Sequence, residues 1–159
     1  MSEYRTGIGW DVHRLAPGRP LLLGGVTVPY ELGLEGHSDA DVLAHALTDA
    51  ILGAAALGDI GMHFPDSDPR WKGCDSLVFL LHARELVEAR GFRIVNVDTT
   101  VVLEKPKLKE YREAIREQLA ETLGLAADRV SVKFKTAEKM GPVGEGRSAE
   151  AQAVVTLES

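Results

Sequence analysis

A strand–helix–strand pattern in the C-terminal half constrains the fold of this chain more than any other feature. A long run rich in β-branched residues, Arg93–Leu103, precedes an amphipathic segment, Lys109–Leu123, that ends before a glycine. An alternating segment, Val130–Thr136, follows. This order forms a βαβ unit, in which the helix returns the chain so that both strands run in the same direction. The pattern therefore predicts a parallel pair of strands.

Alternation, helical spacing and glycine or proline residues divide the remainder into further elements. We expect strands at Tyr4–His13 and Ala149–Leu157, a hairpin over Pro20–Tyr30, helices at Asp39–Leu57 and Leu77–Arg90, a loop at Asp59–Lys72 and a turn at Gly141–Gly146. The expected helix caps and stops are Ser38 or Asp39 and Gly58 for the first helix, and Asp75-Ser76 and Gly91 for the second. The fold class is therefore α+β, with a single-layer mixed β-sheet and helices on one face. The last strand has apolar residues in both phases, which indicates that the uncovered face packs in an oligomer.

Composition and charge exclude several classes of function. The 159 residues, 45% apolar and without a long linker, predict a single domain spanning residues 1–159. No apolar run approaches the roughly 18–20 residues that cross a bilayer, and no signal peptide is present, so we expect a cytoplasmic protein. The net charge of −6 argues against non-specific nucleic-acid binding. The single cysteine, Cys74, fits a reducing compartment and is given no role.

Three residues form a candidate metal site. Asp11 and His13 are two apart on a predicted strand, so their side chains project from the same face. His45 lies on the predicted helix that follows. One carboxylate and two imidazoles suit zinc, and three protein ligands leave the fourth tetrahedral position open, as in catalytic sites. The alternative is that these are hydrogen-bonded polar residues at the edge of the core.

Longer motifs surround these residues and carry a resemblance to a known family. They are Gly7–His13, Gly36–Pro69 (which opens Gly-His-Ser-Asp-Ala-Asp and closes Phe-Pro-Asp-Ser-Asp-Pro), Asn96–Thr100 and Lys135–Gly141. On these motifs the chain resembles the 2-C-methyl-D-erythritol 2,4-cyclodiphosphate synthase family over essentially its whole length. The resemblance implies a homotrimer whose sheets pack around the three-fold axis, with active sites at the subunit interfaces.

The reaction that the resemblance implies is an intramolecular phosphoryl transfer in the non-mevalonate isoprenoid pathway. The 2-phosphate of 4-diphosphocytidyl-2-C-methyl-D-erythritol 2-phosphate attacks the β-phosphorus, which closes a cyclic diphosphate and expels CMP. Nucleophile and electrophile belong to one molecule, so the protein needs only to position the substrate and neutralise its charge. The absence of a nucleophile motif in the chain fits this chemistry.

The resemblance also implies two metal ions. Asp11, His13 and His45 match the ligands of one Zn²⁺ per subunit, which polarises a substrate phosphate. Glu138 matches a ligand of a second divalent cation, Mg²⁺ or Mn²⁺, held between the two phosphates of the cytidine diphosphate moiety. Asp49, one helical turn after His45, is a candidate for orienting the His45 ring, with simple solvation as the alternative.

The implied substrate contacts lie in two groups. His37 and Thr136 match residues that stabilise the transition state, and Ser38 matches a phosphate contact. The group on the zinc side comprises Asp11, His13, His37, Ser38, Asp59, Ile60, Gly61, Phe64, Pro65, Asp66, Ser67 and Asp68. The group on the cytidine and diphosphate side comprises Leu103, Glu104, Lys105, Pro106, Lys107, Leu108, Lys109, Lys135, Thr136, Ala137 and Glu138. In the family, this second group comes from the neighbouring subunit.

The chain departs from the family pattern at a few positions. Ala137 stands where a threonine is frequent, and Pro142 and Glu145 stand where an aromatic residue and an arginine are frequent. An acid cannot replace a phosphate-binding arginine, so either Arg147 supplies the charge from a shifted position or the contact is absent. The departure leaves open whether an isoprenoid diphosphate binds on the trimer axis.

Two other functions remain compatible with the residues. The same three ligands and open position could activate water in a zinc-dependent phosphohydrolase. Alternatively, the chain could be a non-catalytic, zinc-stabilised trimer that binds a nucleotide. Release of CMP without consumption of water separates the synthase from the hydrolase.

Overall fold

The computed structural model describes all residues, 1–159. Its strands are β1 (Tyr4–Pro17), β2 (Leu21–Leu23), β3 (Val26–Val28), β4 (Leu32–Glu35), β5 (Arg93–Val102), β6 (Val130–Lys135) and β7 (Ser148–Glu158). Its α-helices are α1 (Val42–Ala54), α2 (Ile60–His63), α3 (Ser76–Ala89), α4 (Arg112–Leu123) and α5 (Gly141–Gly144). Single 3₁₀ turns occur at Pro69–Trp71, Lys109–Tyr111 and Ala127–Arg129.

Five strands form one mixed sheet in the order β4-β1-β7-β5-β6, and β2 and β3 form a separate hairpin. Strands β5 and β6 are parallel, which confirms the predicted βαβ unit, and all other pairs are antiparallel. The register places Asp11 opposite Ala151, Ala151 opposite Val101, and Val101 opposite Phe134. The architecture is therefore a mixed α+β fold, as expected from the sequence.

The two glycines of β1 determine how α1 lies on the sheet. A Cβ on Gly7 would lie 2.0 Å from the carbonyl oxygen of Ala50, and one on Gly9 would lie 1.7 Å from that of Ala46. No side chain fits at these distances, so the helix backbone rests directly on the strand. This close contact brings the side chains of α1 within reach of the residues that follow Gly9 on the same strand face.

The two faces of the sheet differ in exposure. Alternate residues of β7 that face α1 are buried: Ala149, Ala151, Ala153, Val155 and Leu157. Their neighbours on the opposite face include apolar side chains that remain open to solvent: Ile8 (73% exposed), Trp10 (53%), Val12 (39%) and Val154 (40%). A single chain therefore leaves an apolar surface on β1 and β7 uncovered.

Helix α1 is shorter at both ends than its sequence pattern predicts. Its N-cap is Asp41, whose carboxylate accepts from the N–H of Ala44, so the expectation of Ser38 or Asp39 is wrong. The helix ends at Ala54, before Gly58, because Ala56 takes a positive φ and turns the chain. The Asp41 carboxylate also accepts from the N–H groups of Gly24 and Gly25, which fixes the β2–β3 hairpin to the helix start.

The other predicted elements agree with the structure within a few residues. The cap at Asp75 and the stop at Gly124, whose φ is +67°, are confirmed. Two differences are larger. The segment 59–72, expected as a loop, contains α2 and a 3₁₀ turn. Strand β4 was not predicted, because its four residues are too few to give an alternating signal.

None of the helices combines the length and the apolar content that crossing a bilayer requires.

Candidate metal-binding active site

Strand β1 and helix α1 bring the three predicted metal ligands together. Asp11 Oδ2 lies 2.8 Å from His13 Nε2 and 3.1 Å from His45 Nδ1, and the two imidazole nitrogens are 3.2 Å apart. Donors bound at about 2.0–2.1 Å to one tetrahedral ion are separated by about 3.3 Å. The three donor atoms are thus nearly at the spacing that a divalent metal ion requires, and their chemistry fits such an ion.

The outer nitrogen of each imidazole has a partner of its own. His13 Nδ1 lies 3.0 Å from the carbonyl oxygen of Glu35, which can only accept, so Nδ1 donates, and in the neutral ring Nε2 keeps its lone pair. His45 Nε2 lies 2.7 Å from the Ser76 hydroxyl oxygen and 3.1 Å from that of Ser38, so Nδ1 is the nitrogen that faces Asp11. Such outer contacts fix the orientation of the rings.

Asp49 does not provide the expected contact to His45. Its carboxylate accepts instead from the backbone N–H of Ile60 at 2.7 Å, at the start of α2. Burial raises the pKa of Asp49, and this hydrogen bond opposes the rise. The prediction that Asp49 orients the His45 ring is therefore wrong; Asp49 anchors the segment that follows α1.

The hydrogen bonds within the triad shift the pKa values of Asp11 and His13 in opposite directions. Burial raises the pKa of the Asp11 carboxyl, but hydrogen bonds from His13 and His45 outweigh this effect and bring the pKa to about 2. Burial lowers the pKa of His13, but its hydrogen bond to Asp11 and the Asp11 charge outweigh it, so the pKa is raised. Asp11 is consequently ionised at any ordinary pH, whereas below its raised pKa His13 carries a proton that a metal would have to displace.

The triad lies in the wall of a first cleft of about 400 Å³. Nine residues of the predicted zinc-side group line it together with the predicted ligand His45: Asp11, His13, His37, Ser38, Ile60, Gly61, Phe64, Pro65 and Asp66. Three lie outside the lining. Asp59 caps α2, Asp68 caps the 3₁₀ turn and pairs with Arg70, and Ser67 lies between them in the chain.

An aromatic cluster in the first cleft escaped the sequence analysis. The Phe64 ring centroid is 4.3 Å from that of Phe79 and 5.1 Å from that of Trp71, and all three side chains line the cleft. Phe79 occupies a regular core position of α3, and Trp71 stands in a polar turn, so neither has a local pattern that indicates a site. The cluster closes the side of the cleft next to His45, whose ring centroid is 5.9 Å from that of Phe79.

Most residues of the second predicted group line another cleft, of about 230 Å³. They are Leu103, Glu104, Pro106, Lys107, Leu108, Lys109, Lys135 and Thr136, with Arg112 and Phe134 in addition. Lys105, Ala137 and Glu138 lie beside the lining. The Glu104 carboxylate accepts from the backbone N–H groups of Ala137 and Lys139 at 3.0 and 3.2 Å, which ties the Thr136–Lys139 turn to the end of β5.

Arg112 carries no sequence signal of a binding site, because it occupies an ordinary polar position of a helix. In the structure its guanidinium carbon lies 5.2 Å from the centroid of the Phe134 ring, and its Nε is buried without a hydrogen-bond partner. A buried donor without a partner is rare and costly in folded proteins. Arg112 therefore presents an unused cationic donor in the wall of the second cleft.

The two clefts are separate within one chain. They share no lining residue, and the register from Asp11 to Phe134 crosses three strand-to-strand steps, or about 14 Å. Of the departures from the family pattern, Ala137 lies beside the second cleft, whereas Pro142 and Glu145 lie outside both clefts. Arg147 pairs with Glu145 at 2.7 Å, so the charge that stands in place of the frequent arginine is locally neutralised.

Comparisons with known proteins find close matches along nearly the whole chain. The model of the YgbB family matches residues 4–158. A curated protein of Solibacter usitatus, a 2-C-methyl-D-erythritol 2,4-cyclodiphosphate synthase, is 80% identical over 158 residues, 99% of each chain. The bifunctional IspDF from Campylobacter jejuni superposes with a TM-score of 0.96 at 44% identity, over 99% of this chain and 43% of its own. A 2C-methyl-D-erythritol-2,4-cyclodiphosphate synthase with bound CDP superposes with a TM-score of 0.89 at 46% identity, over 96% of this chain and 99% of its own.

Proposed function

The chain belongs to the YgbB family, and on that basis we propose that it acts as a 2-C-methyl-D-erythritol 2,4-cyclodiphosphate synthase in isoprenoid biosynthesis. The substrate is 4-diphosphocytidyl-2-C-methyl-D-erythritol 2-phosphate. An oxygen of the 2-phosphate forms a bond to the β-phosphorus while the bond from that phosphorus to the CMP oxygen breaks. No water is consumed, so the reaction is a lyase-type elimination of CMP rather than a hydrolysis.

The observation that carries this proposal is the donor triad in the wall of the first cleft. One carboxylate and two imidazoles with donor separations of 2.8–3.2 Å fit a tetrahedral zinc ion with one open position. Bound there, the ion supplies Lewis-acid neutralisation of substrate phosphate charge. The net charge of the chain is −6, so an anionic substrate needs concentrated local positive charge of this kind.

The residues that precede the N-terminus of α1 complete the phosphate-binding surface of the first cleft. His37 and Ser38 line the first cleft, and His37 Nε2 is buried without a hydrogen-bond partner. An imidazole N–H held in this way can donate to a phosphate oxygen without first breaking a protein contact, which is the condition for electrostatic preorganisation. Ile60, Gly61 and Asp66 would then receive the methylerythritol part, with the aromatic cluster excluding water.

We assign the cytidine and diphosphate parts of the substrate to the second cleft. Its lysines and Arg112 place cationic donors around a cavity of about 230 Å³, which is below the roughly 300–1,000 Å³ of pockets that enclose a drug-sized ligand. Thr136 lies in the wall, and its hydroxyl is directed toward Glu138 at 3.4 Å. Glu138 is exposed and offers hard oxygen ligands for a second divalent cation, Mg²⁺ or Mn²⁺, between the phosphates.

A complete site then requires two subunits. The first and second clefts lie apart in one chain, and the exposed apolar face of β1 and β7 offers a surface for self-association. We propose a homotrimer in which these faces pack around a three-fold axis and the first cleft of one subunit meets the second cleft of its neighbour. Such an arrangement has closed symmetry and buries Ile8 and Trp10.

The test is incubation with the cytidine diphosphate substrate and a divalent metal, followed by phosphorus NMR. A cyclic diphosphate and one equivalent of CMP are the expected products. A linear phosphorylated product that incorporates oxygen from labelled water would identify a phosphohydrolase. Retention of the unreacted compound in a stable complex would identify a nucleotide-binding protein, and either result would overturn the proposed function.

A further inference from the structure

A buried hydrogen-bonded chain runs outward from His45 to the start of α3. His45 Nε2 lies 2.7 Å from the Ser76 hydroxyl oxygen, and Ser76 is 0% exposed. The Ser76 hydroxyl donates to Asp39 Oδ1, and the Ser76 backbone N–H donates to Asp39 Oδ2 at 2.9 Å. The carboxylate of Asp39 thus accepts from both hydrogen-bond donors of Ser76, its hydroxyl and its backbone N–H.

The direction of these bonds determines which nitrogen of His45 carries a proton. A serine hydroxyl has one hydrogen, and here that hydrogen is directed to a carboxylate. The Ser76 oxygen therefore accepts from His45 Nε2–H at 2.7 Å, and the Ser38 hydroxyl oxygen approaches the same nitrogen at the longer distance of 3.1 Å. Nδ1 is left as the nitrogen available to a metal, and it lies 3.1 Å from Asp11 Oδ2 and 3.2 Å from His13 Nε2.

We propose that Ser76 and Asp39 are positioning residues for the metal site: they hold His45 with the proton on Nε2 so that Nδ1 is presented to the metal. The inference rests on the metal site of the proposed function. Loss of the Ser76 oxygen would leave the Nε2 proton only the longer contact to the Ser38 hydroxyl at 3.1 Å and would favour its move to Nδ1, where it can donate to the Asp11 carboxylate. A metal would then have to displace that proton and reverse the ring's protonation, which lowers its affinity.

The same contacts link the metal site to the segment that lines the first cleft. Asp39 is fixed by its own N–H, which donates to the carbonyl of Cys74 at 3.1 Å, and Gly73 N–H donates to the carbonyl of His37 at 2.8 Å. Ser76 is the first residue of α3, directly after this segment. A purely structural link between α1 and α3 would use the same bonds, so the test must separate orientation of His45 from stability.

The test compares wild type with Ser76→Ala, Asp39→Asn and a matched control, Thr48→Val. Thr48 is also 0% exposed, follows His45 on α1, and donates its hydroxyl only to the Ala44 carbonyl at 2.7 Å. Zinc affinity is measured by competition with a chromogenic chelator. The protonated nitrogen of His45 is read in the metal-free proteins from long-range ¹H–¹⁵N correlation spectra, at a pH where the imidazole is neutral.

We expect Ser76→Ala to weaken zinc binding by about 10- to 100-fold and to move the His45 proton from Nε2 toward Nδ1. Asp39→Asn should shift both quantities in the same direction by less, because the amide still accepts one bond from Ser76. Thr48→Val should lose stability without changing either quantity. If Ser76→Ala does not fold, Asp39→Asn decides by the same two measurements.

The inference is overturned if a folded Ser76→Ala or Asp39→Asn protein keeps both the zinc affinity and the His45 proton position of wild type. That result would leave the proposed function intact. An equal loss of affinity in Thr48→Val would also overturn it, because general destabilisation would then explain the effect. Failure of wild type itself to bind zinc would instead refute the metal site on which the proposed function depends.

Discussion

Gly9 and Ala46 are in backbone contact: a Cβ on Gly9 would lie 1.7 Å from the Ala46 carbonyl oxygen. His45 is the residue before Ala46, and Asp11 lies two residues after Gly9 on the same strand face. The separation between helix and strand therefore sets the distance between two of the proposed metal ligands. A side chain at position 9 must push α1 away from β1 and with it His45 from Asp11.

We expect Gly9→Ala to lower the free energy of unfolding by about 1–3 kcal/mol or more, as overpacked core sites do, and to weaken zinc binding. Denaturant unfolding and chelator competition measure the two effects. Gly53→Ala is the control, because it lies on α1 with open space around its Cβ, the nearest atom being 4.0 Å away. That change should stabilise the protein by about 0.5–1 kcal/mol. If Gly9→Ala and Gly53→Ala change the free energy of unfolding and the zinc affinity equally, the close-contact explanation is wrong.

The raised pKa of His13 predicts a pH-dependent zinc affinity. Below that pKa, zinc must displace a proton, so affinity should rise about tenfold per pH unit and flatten once His13 is neutral. Asp11, with a pKa of about 2, adds no dependence in this range. In the metal-free protein, the contribution of His13 to stability is complete below the ordinary imidazole pKa and is lost as pH rises through the folded pKa. Chelator competition and denaturation at a series of pH values test both trends, and a flat affinity from pH ~6 upward would be inconsistent with them.

Glu138→Gln should separate the two proposed metals. The amide is a poorer ligand for a hard cation, so activity should require a higher concentration of Mg²⁺ or Mn²⁺ while bound zinc stays unchanged. Elemental analysis and a metal titration of activity give the two readouts. Glu121→Gln, an exposed acid on α4, is the control for the loss of one negative charge. Overlapping titration curves for Glu138→Gln and wild type would remove Glu138 from the second site.

A site shared between subunits predicts complementation between two inactive variants. His45→Ala chains and Thr136→Ala chains, unfolded and refolded together, should form mixed trimers in which some interfaces join an intact His45 to an intact Thr136 of the neighbour. Random mixing would then restore activity in a minority of sites. Each variant alone must first be shown to be strongly impaired. Persistent inactivity of verified mixed trimers would mean that both residues act within one chain.

The sequence alone predicted most of the elements and a candidate metal-binding triad that the structure brings together, because their signals are local. Asp11 and His13 are two residues apart on a strand, so their side chains lie on the same face. Gly124 ends α4 because its left-handed backbone conformation does not continue the helix, whatever the helix packs against. The parallel pairing of β5 and β6 follows from the short helical crossover between them. These features depend on the backbone geometry of a few neighbouring residues, which the pattern of side chains reveals.

Only the tertiary structure decided which residues support the site, because those contacts join distant parts of the chain. Ser76, not Asp49, holds His45 from 31 residues away, since α3 packs beside α1. Arg112 and Trp71 enter the clefts through packing that no local pattern records. Helix α1 ends early for the same reason: the chain must turn there to lead into the segment that lines the first cleft. Local periodicity fixes which way a side chain points, whereas its partner is fixed by the packing of whole elements.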